Sequence, residues 1–273
     1  MYNCALLRVF CKKPLKVLFG IGFMGLANEK KEQTTLVENF KNVKTVGEVP
    51  NDNCEKVNLP FEVKEGEEYF IEDIGKVKKK PLYAFFKRTF DLLISLILIL
   101  LLLPTFLIIA IIIKCSSKGP VFYCQERLGL NGKKFKVIKF RTMVVDAEKD
   151  GARWSDGDND TRIYKFGKFL RKSRLDELPQ IYCCFIGSMS FVGPRPEREC
   201  FYIEFEKYVH GFSQRLKVKP GITGLAQVNG GYDLKPQEKV LIDIEYIKKR
   251  SLWLDVKILF KTVAVVFNHK GAK

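Results

Sequence analysis

The run LLISLILILLLLPTFLIIAIII, Leu92 to Ile113, decides the class of this chain, for it holds 22 residues without one charge. About 20 consecutive apolar residues let a helix cross the hydrocarbon of a bilayer. The run is too apolar for a soluble amphipathic helix, and a fully buried core helix of that length would be unusual in so small a domain. Membrane insertion is therefore expected. Lys87 and Arg88 precede the run, and Lys114 and Lys118 follow it. These cations draw both ends to the cytoplasmic side, so the positive-inside rule assigns no direction. Pro104 removes a backbone donor near the middle and crowds the preceding turn, so a helix break is expected there. Two insertions fit this pattern: a re-entrant helix that bends at Pro104 and returns, or a spanning helix with a mild proline kink.

Towards the N-terminus, Leu15 to Ala27 is apolar and glycine-rich but only about half a span long, and it follows Arg8, Lys12, Lys13 and Lys16. It reads as a helix on the membrane surface, with a secretory signal peptide as the competing reading. From Asn28 to Lys80 the composition is mixed charge with few aromatics. That predicts a poorly ordered linker, closed by the basic run Lys76, Lys78, Lys79 and Lys80 at the membrane surface. The expected division is an extension over 1–80, a membrane region over 83–118, a compact domain over 119–267 and a tail over 268–273.

A chain of 273 residues has room for one core of ordinary size. Its 47 Lys and Arg against 31 Asp and Glu leave a formal charge of +16, which favours a polyanionic partner: nucleic acid, anionic lipid or a phosphorylated substrate. The eight cysteines lack paired CxxC spacing and only two histidines accompany them, so a zinc site is not expected. Reduced thiols in a cytosol-facing protein fit this usage.

Beyond the membrane run, Val121 to Arg127 and Lys134 to Met143 flank Leu130, Asn131 and Gly132. An Asn-Gly pair between apolar, β-branched runs predicts a β-hairpin. Its second strand delivers Lys139 and Arg141 to one end, as binding cations or as ordinary edge-strand charges. Apolar residues at 163, 166, 169 and 170 predict a basic amphipathic helix over Ile163 to Arg171. Asp176 then stands where a new helix begins, because Pro179 suits a first turn and Gln180 to Ile186 continues as an apolar run. Asp176 is thus a natural N-cap. A helix N-terminus that stabilises this carboxylate would equally hold a phosphate brought to it. Two stiff loops follow. In GSMSFVGPRP (187–196) two prolines flank Arg195, whose planar fork matches phosphate oxygens. In VKPGITG (218–224), next to Lys217, glycines let backbone amides approach an anion beside Lys219. Turn chemistry with incidental charges explains either loop alone. Together with Asp176 and Glu177 they suggest a phosphate-handling site. Trp253 to Phe267 is largely apolar with scattered lysines, which suits either a core or a membrane interface.

From about residue 83 to 267 the ordered motifs resemble the bacterial sugar transferases that load a phosphosugar onto a polyprenyl phosphate carrier. They are KRTFDLLISLILILLLLPTF (87–106), KFRTM (139–143), FLRKSRLDELPQ (169–180), GSMSFVGPRPE (187–197) and VKPGITGLAQVNGGYD (218–233). The ending PQEKVLIDIEYIKKRSLWLDVKILFKT (236–262) looks most like the branch that primes exopolysaccharide and capsule assembly. The resemblance implies a helix-rich α/β (α+β) catalytic domain with a β-hairpin, anchored on the cytoplasmic face of the bacterial cell membrane by one re-entrant helix broken at Leu103 and Pro104. It implies Asp176 as the nucleophile towards the β-phosphate of a UDP-sugar, with Glu177 completing the dyad, UMP released and the phosphosugar passed to polyprenyl (undecaprenyl) phosphate. Mg2+ is the implied cofactor, with Asp176 and Glu177 as its expected ligands. Lys139, Arg171 and Arg195 match basic positions of the motifs, and with Arg141 and Lys219 they are the expected phosphate and substrate contacts. A homo-oligomer and downstream glycosyltransferases are the further partners expected, and nucleic acid is not one. Ser188 stands where relatives usually carry an acid, and Asp243 and Tyr246 match a family pattern without an assigned role. The rival readings are a non-catalytic membrane scaffold for polysaccharide assembly and a membrane-anchored nucleic-acid-binding protein. The second predicts basic residues interleaved with exposed aromatics rather than rigid Pro-Gly loops around carboxylates.

Overall fold

A computed structural model describes residues 66–145, 147, 160–230 and 234–267. The expected surface helix at Leu15–Ala27, the linker as far as 65 and the tail from 268 lie outside these residues. In chain order the elements are β1 (Tyr69–Phe70), α1 (Pro81–Ser116), β2 (Phe122–Leu128), β3 (Lys134–Phe140), α2 (Lys165–Lys172), a 3-10 helix (Leu175–Gln180), α3 (Ile181–Ile186) and β4 (Ser190–Val192). Then come α4 (Glu199–Glu206), β5 (Val209–His210), a second 3-10 helix (Phe212–Lys217), β6 (Gly221–Thr223), α5 (Leu225–Asn229), α6 (Pro236–Lys249) and α7 (Leu252–Phe267). Helices dominate, and the strands pair two by two: β1 with β5 and β4 with β6 in parallel, β2 with β3 antiparallel.

The apolar run lies inside α1, a helix of 36 residues that begins on Pro81, where a missing N–H costs nothing. It is the one helix among the described residues long and apolar enough to cross a membrane. At the expected break the chain stays helical. Leu103 and Pro104 are exposed residues within a helix that is continuous from Pro81 to Ser116. Proline removes a single hydrogen bond, and the turns on either side keep the helix going.

Both ends of α1 dock on the same domain. Near its start, Arg88 donates to the carbonyls of Cys184 (2.7 Å) and Phe185 (2.8 Å), closing the C-terminal end of α3. Lys87 pairs with Asp255 of α7 at 2.7 Å, and the Asp91 carboxylate accepts the Phe191 N–H at 3.1 Å. Near its end, Ile109 and Ile113 pack with Phe140 and Leu170. Between Leu96 and Ile108 no residue is buried.

The predicted hairpin is present, with Phe122 opposite Phe140 and Leu128 opposite Lys134. Asn131 and Gly132 turn it in the left-handed region, at φ 54° and 73°, which these two residues tolerate best. The predicted amphipathic helix is present as α2. Part of the expected disordered linker is instead structured. Tyr69 and Phe70 add a strand to Val209 and His210, and Ile71 is buried with Phe201, Phe205 and Phe212. A short apolar run outweighs the charged residues around it once a strand edge is available.

The two stiff loops pair with each other as β4 and β6. A Cβ on Gly193 would meet the Lys219 carbonyl at 2.5 Å, one on Gly221 would meet the Gly193 amide at 2.1 Å, and one on Gly224 the Gly193 carbonyl at 2.2 Å. These glycines therefore serve the approach of one backbone to another, where an approach to an anion was expected. Gly221→Ala should lower the thermal unfolding midpoint in detergent by the equivalent of about 1–3 kcal/mol, as overpacking commonly does. An unchanged midpoint would show that the loops are not in this contact.

Candidate active site

The site forms where α2 hands the chain to the 3-10 helix Leu175–Gln180. Ser173 closes α2 by donating its hydroxyl to the Phe169 carbonyl at 2.8 Å. Arg174 turns the chain at φ 58°, and the 3-10 helix starts at once. Asp176 consequently lies inside that helix and caps nothing with its side chain, contrary to the expected N-cap. The left-handed turn at Arg174 uses the position that a capped α-helix would have needed, and places both acids in the first turn, facing β3.

Glu177 is clamped. Lys139 at the end of β3 donates to its Oε1 at 2.8 Å, and Arg195 reaches the same oxygen at 2.5 Å through Nη2 and Oε2 at 3.3 Å through Nη1. Burial would raise the Glu177 carboxyl, but Arg195 and Lys139 prevail and hold it well below the usual carboxylate range. Asp176 is also buried. Its burial and the adjacent Glu177 charge push its carboxyl up to about 6, against the opposing pull of Lys139, Arg171 and Arg195. Arg171 is held by Thr142, whose hydroxyl accepts from Nε at 3.0 Å. One carboxylate is thus kept ionised by fixed cations, while its neighbour sits poised near neutrality.

Of the predicted contacts, Lys139, Arg171 and Arg195 converge on the dyad, and two do not. Arg141 is buried and donates to the carbonyls of Ser117 (2.8 Å) and Lys118 (2.7 Å), just beyond the end of α1. The strand stops at Phe140, so the alternation that would have aligned Arg141 with Lys139 no longer applies. Lys219 is exposed, and its electrostatic neighbours are Arg88, Asp91 and Lys87 at the start of α1. Ser188 donates to the Cys183 carbonyl at 3.1 Å, so at this position a neutral hydroxyl helps to close α3.

Sequence reasoning missed the supports of the site. Asp160 is buried and accepts Arg162 at 2.8 and 2.7 Å; hydrogen bonding to Arg162 holds its carboxyl low, and Arg171 also contributes. Glu197 meets Arg127 at 3.1 Å and Lys239 at 3.6 Å, and Arg215 meets Asp243 at 2.6 Å. Tyr246 donates to Asp255 at 2.9 Å, tying α6 to the foot of α1. The residues Asp243 and Tyr246, which carried no role in the sequence, therefore hold elements together. Among the described residues no group of three or more His, Cys, Asp or Glu is placed to hold a metal ion.

The bacterial sugar transferase family model matches residues 82–269. The UDP-N-acetylgalactosamine-undecaprenyl-phosphate N-acetylgalactosaminephosphotransferase of Aeromonas hydrophila is 41% identical over 203 residues, covering 73% of this chain and 48% of that protein. The UDP-glucose:undecaprenyl-phosphate glucose-1-phosphate transferase of Klebsiella pneumoniae is 42% identical over 214 residues, 74% of this chain and 46% of that protein. Exopolysaccharide production protein ExoY of Rhizobium meliloti is 37% identical over 219 residues, 75% of this chain and 95% of that protein. The chain thus spans about half the length of the first two relatives. The match runs from the first turn of α1 to the end of α7 and includes the dyad with its three cations, and the chain belongs to the bacterial sugar transferase family.

Proposed function

We propose that this protein transfers a phosphosugar from a UDP-sugar to polyprenyl phosphate, releasing UMP, as the first step in building an exopolysaccharide, capsule or O-antigen. The observation that carries the reading is the division of labour in the dyad. Glu177 is consumed by Lys139 and Arg195, while Asp176 is the carboxylate left to react. An Asp176 oxygen attacks the β-phosphorus, the bond from that phosphorus to the bridging oxygen breaks, and UMP leaves with the oxygen. An oxygen of polyprenyl phosphate then attacks the same phosphorus and the bond to Asp176 breaks, giving polyprenyl diphosphosugar and the free carboxylate. Lys139, Arg171 and Arg195 offset the phosphate charge through both steps. The relatives' names support the substrate class and differ in the sugar, glucose in one and N-acetylgalactosamine in another.

Mg2+ fits as an ion brought with the substrate. Asp176, Glu177 and the donor's diphosphate would hold it, with Asp176 the less engaged of the two acids because Glu177 already accepts from Lys139 and Arg195. Magnesium commonly takes one or two carboxylates plus substrate phosphates, and when bound it would neutralise diphosphate charge.

The docking of both ends of α1 on one domain supports re-entrant insertion. A helix crossing about 30 Å of hydrocarbon leaves its ends on opposite faces. With Arg88 and Ile113 both against this domain, the exposed middle would enter the lipid, bend within the helix at Pro104 and return, and the domain would stay on the cytoplasmic face.

Purified protein in detergent, given a UDP-sugar, Mg2+ and polyprenyl phosphate, should release UMP, and Asp176→Asn should reduce release by at least about 10³-fold, as expected for a lost nucleophile. Normal turnover by the folded mutant would remove Asp176 from that role. The nucleophile must be ionised, so kcat should rise as pH increases through about 6. Stability should show the opposite trend. A carboxyl raised in the folded state stabilises the fold below its unfolded value near 3.8, and that contribution is lost as pH rises through about 6. Asp176→Asn should therefore melt higher than wild type at pH 8 and no higher at pH 4. Single cysteines placed at Leu82 and Lys118 should both react with an impermeant maleimide only from the cytoplasmic side; reaction of one from outside would mean a spanning helix.

A further inference from the structure

At the end of β3, four consecutive side chains each reach a different part of the protein. Lys139 donates to Glu177 Oε1 at 2.8 Å. Phe140 is buried with Ile109 and Ile113 of α1 and Leu170 of α2, and its ring meets Phe106 of α1 edge-on at 5.6 Å. Arg141 donates through Nη1 to the Lys118 carbonyl at 2.7 Å and through Nη2 to the Ser117 carbonyl at 2.8 Å. Thr142 accepts Arg171 Nε at 3.0 Å. One short ribbon thus holds the exit of α1 on one side and two groups of the site on the other. Arg141 is its most constrained member. The side chain is buried, both arms of its fork end on neutral carbonyls just beyond the helix, and its own amide donates to the Val121 carbonyl at 2.9 Å. Gly119, at φ 121°, makes room for it, since a Cβ there would meet Arg141 Nη1 at 2.0 Å. The shape of the guanidinium, more than its charge, fits it to this place.

We propose that Arg141 is a positioning residue for the lipid acceptor: by locking the exit of α1 to the end of β3, it sets the depth at which the site meets polyprenyl phosphate at the membrane surface. The proposal rests on the transferase reading and on α1 entering the lipid. The donor of that reaction is a soluble nucleotide sugar, which reaches the site at any depth. The acceptor is held in the bilayer with its phosphate at the surface, so only the second step depends on where the site stands. Misplacement of reacting groups by about 1 Å can cost about 10²-fold. The start of α1 is fastened separately, through Arg88 on the carbonyls of Cys184 and Phe185 and through Lys87 on Asp255. Loosening Arg141 therefore frees the exit alone and leaves the helix docked at its start.

The test uses the full-length protein in lipid nanodiscs, with Gly119→Ala, Arg141→Lys and the double variant, each checked for folding by its thermal melt. Gly119→Ala crowds the fork off its carbonyls while Arg141 is kept, and Arg141→Lys keeps the charge but loses the fork, so either serves if the other does not fold. The two steps are read separately. Exchange of labelled UMP into the UDP-sugar without acceptor reports the first, and product formation against polyprenyl phosphate concentration reports the second. Both single variants should raise KM for polyprenyl phosphate about tenfold and leave the exchange rate within about twofold of wild type. The double variant should be little worse than Arg141→Lys alone, as expected for residues acting through one contact. With a short prenyl phosphate dispersed in detergent, which no bilayer holds at a fixed depth, the variants should come within about twofold of wild type. Equal losses in both steps would overturn the proposal, as would an unchanged KM, or a loss of the same size with the short acceptor, which would make Arg141 a direct contact. Failure of wild type to form product would defeat the transferase reading and this proposal with it, whereas active wild type with unselective losses in the variants would defeat this proposal alone.

Discussion

Two adjacent carboxylates, one buried and one half-buried, cannot both carry charge without cations to hold them, and much of this fold is arranged to meet that constraint. The cations come from three separate places: Lys139 from the hairpin, Arg171 from α2 and Arg195 from the Pro-Arg-Pro loop. None is near the dyad by local geometry alone. The hairpin must be in register, α2 must end before the turn at Arg174, and the loop must be pinned to β6 and β2 before the charges meet. Packing of the domain and chemistry of the site are therefore the same problem at this point.

The same economy governs the long apolar helix α1. Its flanking cations, which in many membrane proteins only set orientation, are spent here on helix ends and acids. Arg88 satisfies the last carbonyls of α3, Lys87 meets Asp255, and Arg141, from beyond β3, satisfies the carbonyls that follow α1. Carbonyls at helix ends are partial negative charges without partners of their own, so these contacts are favourable on both counts. They also connect α1 to the site, since β3 carries Lys139 only two residues before Arg141.

The parts legible in the sequence are those fixed by local chemistry. Asn131-Gly132 gave away the hairpin, the apolar spacing from Ile163 gave α2, and the uncharged run gave α1. The dyad was visible as two neighbouring acids, whereas Lys139 and Arg195 were expected to contact phosphate and instead hold Glu177. The parts that were not legible depend on distant pairs. β4 and β6 are three-residue parallel strands made possible by glycines packed against each other across the loops, which no periodicity announces. Arg127 finds Glu197 across 70 residues and Arg215 finds Asp243 across 28, and before folding each is one more charge in a strongly basic chain. Arg141 was misplaced because the second strand was expected to run to Met143, whereas it ends at Phe140.

The energetic character of the site follows from these facts. Raising the Asp176 carboxyl makes the folded protein less stable at neutral pH than it would be with an unperturbed carboxyl. The depressed carboxyl of Glu177 works in the opposite sense, because Arg195 and Lys139 stabilise its charged form. The pair is best regarded as one unit in which the cost of holding a reactive acid is offset by the ion pairs of its neighbour. A carboxylate surrounded only by cations would be strongly ionised and a poor nucleophile, and one surrounded only by apolar groups would stay protonated. Glu177 takes up two of the three cations directly and its own charge pushes back on Asp176, which keeps the Asp176 carboxyl between those limits, near 6.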